Sequence, residues 1–131
     1  MINFIRKHIN SALWAVVILI LCGAPSSGFS GFRFINIPQF DKVVHLGLYV
    51  VFTLLIISEN NPNRNMGTVD RRYKIIALAV ASAYGLLIEL LQWLIFTSRS
   101  ADFFDFLADV AGSVLAIFAY KLVNKYSKGI I

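Results

Sequence analysis

Four long apolar runs, parted by short polar stretches, organise this chain of 131 residues. They cover roughly 9–24, 40–58, 75–96 and 103–120, each at or near the length of about 20 helical residues that crosses a bilayer. The runs are continuous instead of alternating, so helices are expected and a barrel is not. The pattern predicts an all-α, integral membrane four-helix bundle in one domain over residues 1–131. The Asn/Pro-rich piece Glu59–Thr68 reads as a polar loop. Pro25-Ser26-Ser27-Gly28 ends the first helix and opens a loop with Phe29, Phe32 and Phe34, expected at the interface.

Composition narrows the class. Hydrophobic residues make up 58% of the chain and charged ones 15%, a balance for lipid and not for a soluble domain. The lone Cys22 excludes an internal disulfide and a thiolate zinc cage. The net charge of +5 sits at the flanks of the apolar runs, which suits anionic headgroups and argues against nucleic acid. Arg6 and Lys7 before a short apolar run also resemble a cleaved leader. Pro25, directly after Cys22-Gly23-Ala24, disfavours cleavage, so an uncleaved anchor is expected.

Basic residues set the expected orientation. With four spans, nine fall on the side of both termini: Arg6, Lys7, Arg64, Arg71, Arg72, Lys74, Lys121, Lys125 and Lys128. Three, Arg33, Lys42 and Arg99, fall on the other. The positive-inside rule then predicts cytoplasmic termini.

That orientation gathers most of the acids at one end. Asp41, Lys42 and His45 begin the second span, Glu89 and Gln92 lie near the end of the third, and Arg99 is in the short connection. Asp102, Asp105 and Asp109 open the fourth. All are expected at the extracytoplasmic end. Asp41, His45 and Tyr49 share a helix face, as do Asp102, Asp105, Asp109 and Gly112. Ala77, Ala81, Gly85 and Glu89 recur every four residues, a small-residue stripe that turns Glu89 into the bundle. A charged group at mid-membrane costs roughly 2.5–3.5 kcal/mol on insertion scales. Caps explain some of these acids, but Glu89 and Asp109 are too deep for that. Five acids against Lys42 and Arg99 sum to about −3. Either some acids stay protonated or a cation such as Mg²⁺, Ca²⁺ or Zn²⁺ is held. No HExxH, DxDxDG, GxSxG, Walker or Rossmann spacing is present.

Asp41-Lys42-Val43-Val44-His45 with Tyr49, then Glu89-x-x-Gln92, then Arg99 with Asp102, Asp105 and Gly112, resembles the VanZ-like family over residues 41–112. Asp109 departs from the family pattern, in which Asn is expected there. The resemblance implies a bacterial plasma-membrane protein, linked through the family's namesake to lowered teicoplanin susceptibility. It supplies no established reaction.

Three functions follow as expectations. The first is a site for a lipid-linked or cell-envelope molecule. In it Glu89, His45 and Asp105 carry acid/base or ligand chemistry, and Lys42, Arg99, Asp41, Gln92, Asp102, Asp109 and Tyr49 line the binding surface. The second is a non-enzymatic envelope factor stiffened by the same network. The third is a proton-coupled transporter, disfavoured because the stretches Val51–Ile57, Ile75–Leu87 and Val114–Tyr120 hold no ionisable relay.

Overall fold

The computed structural model describes residues 1–23, 40–62, 68–95 and 102–127, leaving aside the side chains of Phe40, Asp41 and Ser127. The chain is all-helical over them: α1 (Ile2–Lys7), α2 (Ile9–Gly23), α3 (Phe40–Asn60), α4 (Arg71–Leu94) and α5 (Phe103–Ser127). Stretches of α3, α4 and α5, namely Lys42–Asn60, Arg71–Leu94 and Phe103–Tyr126, are long and apolar enough to cross a membrane. The apolar α2 has 15 residues, about 22 Å at 1.5 Å per residue against a hydrocarbon core of about 30 Å.

The bounds differ from the sequence expectation in informative ways. Residues 2–7 form a short helix of their own. The bonds His8 N–H to Phe4 O (3.2 Å) and Ala12 N–H to His8 O (3.0 Å) carry the backbone across to α2. Glu59 and Asn60 complete α3 instead of starting a loop. Helix α4 begins at Arg71, four residues before the apolar run; Arg and Lys are good helix formers, so polarity alone does not end a helix. Similarly α5 runs seven residues past Tyr120.

Packing follows the small residues. Helix α3 lies closest to α5, where a Cβ at Gly112 would collide with the Leu46 carbonyl. The buried face of α4 is Ala77, Ala81, Gly85, Ile88, Glu89 and Gln92, the stripe expected from the four-residue repeat. Three side chains tie α2 to the bundle through backbone carbonyls. Trp14 Nε1 donates to Leu48 O at 2.9 Å, Tyr84 Oη to Ala15 O at 2.6 Å and Gln92 Nε2 to Cys22 O at 2.9 Å. Tyr49, Phe52, Ile57 and Ile88 fill the interior, while Ile75, Leu86, Leu87, Trp93 and Phe118 face outward. An apolar exterior of this extent fits lipid.

Candidate functional site

The start of α3, the end of α4 and the start of α5 bring their polar residues together at one end of the bundle. At the α5 N-terminus, Asp102 Oδ1 accepts the Phe104 N–H at 2.9 Å, a helix cap. That bond, with Lys42 beside it, holds the Asp102 carboxyl below its ordinary range. Lys42 Nζ lies 3.1 Å from Asp102 Oδ2 and 3.5 Å from Asp105 Oδ1. The Asp102 backbone N–H donates to Glu89 Oε2 at 2.9 Å, joining α4 to α5.

One layer deeper is His45. Its Nδ1 is 2.8 Å from Asp109 Oδ1, a hydrogen bond whether the proton sits on ring or carboxyl. Its Nε2 is 3.9 Å from both Cys22 Sγ and Asp105 Oδ2. Exposure is 1% for His45, 7% for Glu89 and 0% for Asp109. Among the described residues, Glu89 Oε1, Asp109 Oδ2, Gln92 Oε1 and Tyr49 Oη are buried without a hydrogen-bond partner. Most buried polar atoms are paired, and leaving one unpaired costs about 1–3 kcal/mol, so a cluster of them calls for a ligand or a function. His45, Glu89 and Asp109 each offer a ligand atom, all within 4.8 Å of one another.

Small residues make the room. A Cβ at Gly85 would stand 2.8 Å from Asp109 Oδ2, so glycine there leaves that oxygen its space. Outside the cluster, a cavity of about 280 Å³ is lined by Leu86, Glu89, Leu90, Trp93, Phe103 and Phe106. Apart from Glu89 its walls are apolar, and they open to the outward face between α4 and α5.

The model of the VanZ/LLP1 family matches residues 2–124. The chain belongs to the VanZ/LLP1 family. No curated protein and no solved structure gives a significant match. Family membership and the three long apolar helices make this a VanZ-like membrane protein.

Within this VanZ-like chain, the sequence-derived site residues fall into three groups. His45, Glu89, Asp105, Asp109, Lys42 and Asp102 come together in the network above. Gln92 and Tyr49 stand at its edge: Gln92 is engaged with the end of α2, and Tyr49 is buried with its ring edge-on to Phe52 at 5.9 Å. Arg99 and the side chain of Asp41 lie outside the described residues.

Sequence reasoning missed one participant and one acid outside the site. Cys22 reaches His45 because α2 docks beside α3, and a lone cysteine carries no spacing signal. Glu59, assigned to a loop, instead sits at the far end of α3. Its Oε1 accepts the Asn10 and Ser11 N–H groups at 3.0 Å each, and its Oε2 accepts the Ser11 hydroxyl at 2.5 Å. Helix α2 has no acid in its own first turn; Glu59 supplies one from another helix.

Proposed function

We propose that this VanZ-like protein is a multi-pass protein of the bacterial plasma membrane, one domain with cytoplasmic termini. Its acidic site would then lie at the extracytoplasmic face, where it binds or modifies a lipid-linked or cell-envelope molecule. The observation that carries this reading is the set of partnerless buried oxygens, Glu89 Oε1 and Asp109 Oδ2, beside His45. They are acceptors held ready for a donor that the described residues do not provide. Lys42, part-exposed above them, is the cation positioned to meet a phosphate or carboxylate; its present partners Asp102 and Asp105 are exchangeable ion-pair acceptors. His45, Glu89 and Asp105 supply the acid/base groups. The apolar cavity leading to Glu89 supports entry from the lipid side, as a molecule with a hydrocarbon anchor requires. Lowered teicoplanin susceptibility is the phenotype proposed for this activity.

A non-enzymatic envelope factor is the second reading. The Gln92–Cys22 and Asp102–Glu89 bonds favour it, since both join helices whether or not chemistry occurs. Cells carrying Glu89→Gln, His45→Ala or Asp105→Asn separate the two when scored for protein level and teicoplanin susceptibility. Loss of the phenotype at normal protein level supports the site. An unchanged phenotype in all three removes it, and loss of protein in all three favours the structural factor.

A further inference from the structure

We propose that His45, Glu89 and Asp109 form a binding site for a single divalent transition-metal ion of the zinc type. The assignment deepens the preceding reading and rests on it in placing the functional centre at this cluster. Its own grounds are the ligand geometry.

The three residues come from three helices, α3, α4 and α5, and their ligand atoms already lie within 4.8 Å of one another. Tetrahedral metal–ligand bonds of about 2.0–2.2 Å place ligand atoms about 3.3–3.6 Å apart. Side-chain shifts of up to about 1.3 Å from the 4.8 Å limit close the site. Each carboxylate has one anchored oxygen and one free. Glu89 Oε2 accepts the Asp102 N–H while Oε1 has no partner among the described residues. Asp109 Oδ1 meets His45 while Oδ2 is partnerless. Oriented carboxylates with a spare lone pair turned inward are what a ligand set requires.

The surroundings support the same assignment. Metal-bound imidazole needs an acceptor for its other nitrogen. With Nδ1 of His45 turned to the metal beside Asp109, that acceptor is Cys22 Sγ, 3.9 Å from Nε2. Charge points the same way. Lys42 is drawn to Asp102 and Asp105, and among the described residues the deeper pair, Glu89 and Asp109, has no lysine or arginine partner. Gly85 keeps Asp109 Oδ2 clear of a side chain. One imidazole with two carboxylates suits Zn²⁺ or Mn²⁺ better than Ca²⁺ or Mg²⁺, which prefer all-oxygen shells. Three protein ligands also leave a coordination position for an incoming molecule.

The full chain, purified in detergent without chelator, is analysed for metal and then stripped and titrated with Zn²⁺, Mn²⁺, Co²⁺ and Mg²⁺. The expected result is about one Zn²⁺ or Mn²⁺ per chain and a thermal transition that falls on stripping and returns on reloading. Co²⁺ should give visible absorption of a nitrogen/oxygen-ligated ion. Glu89→Gln and Asp109→Asn should each weaken binding by about a hundredfold or more, and Cys22→Ser should not. If wild-type protein, folded by circular dichroism, takes up no stoichiometric metal, the proposal is overturned whatever the variants do. Equal metal content in Asp109→Asn and wild type overturns it too, by placing the ion elsewhere. Wild-type binding with an unaltered teicoplanin phenotype in Glu89→Gln, His45→Ala and Asp105→Asn cells alike supports the metal site and removes the envelope reading. Absent metal with a lost phenotype does the reverse.

Discussion

The two ends of this bundle both bury acids, and they use them oppositely. At one end Glu59 is spent: two backbone N–H groups and a serine hydroxyl donate to it, and His8 Nδ1 lies 3.6 Å away. At the other, Glu89 and Asp109 each keep a buried oxygen unpaired. Room is not what distinguishes them. A groove of about 810 Å³ beside Glu59, with Arg6, Lys7 and Trp14 in its walls, is larger than the 280 Å³ cavity at Glu89. A carboxylate in an apolar bundle is thus a weak sign of function by itself; the strong sign is a carboxylate whose hydrogen-bonding capacity the fold leaves unused.

Substitutions at both ends put this contrast under strain. Glu59→Ala should have the largest effect on stability, about 2–3 kcal/mol, because it removes a cap and orphans several donors. Chemical denaturation in detergent measures it, and a loss below about 0.5 kcal/mol would break the contrast. Gly85→Ala should cost about 1–2 kcal/mol by overpacking, since its methyl group would press on Asp109 Oδ2. The same variant should lose the proposed teicoplanin phenotype, which Ala81→Gly on the same face should keep. Glu89→Gln retains an acceptor for the Asp102 N–H, so in metal-stripped protein its stability change should stay under about 1 kcal/mol while function is lost. A large destabilisation there would make the two ends alike.

The smallest effect belongs to the Lys42–Asp102 pair. The Asp102 carboxyl is lowered in the folded chain from an ordinary value of 3.8. Its contribution is therefore fully present above pH 3.8 and disappears as pH falls through the lower folded value. Thermal unfolding of wild type and Lys42→Gln should differ slightly at pH 5–7 and converge only under strong acid. Convergence already at pH 5 would contradict the pairing.

Much of the fold was legible because it depends on periodicity within single helices. The Ala77, Ala81, Gly85, Glu89 repeat and the Asp105, Asp109, Gly112 steps correspond to buried faces of α4 and α5. The cap by Asp102 was legible from residue type and position. Contacts of α2 were not. Glu59 meets Asn10 and Ser11 across 49 and 48 residues, and Cys22 meets His45 across 23. Such distances carry no local period. The site was legible as a gathering at one end; which oxygens remain free depends on side-chain placement that no spacing encodes.

The docking of α2 has a consequence for how such a bundle drifts over generations. Trp14, Tyr84 and Gln92 each bond a main-chain oxygen, at Leu48, Ala15 and Cys22. Every residue type carries that oxygen, so the acceptor positions are free to change identity without breaking the bond. Only the donor side is under selection for these contacts. Relatives should therefore show no paired substitution at these three contacts, and a method that seeks partners through correlated change will pass over them.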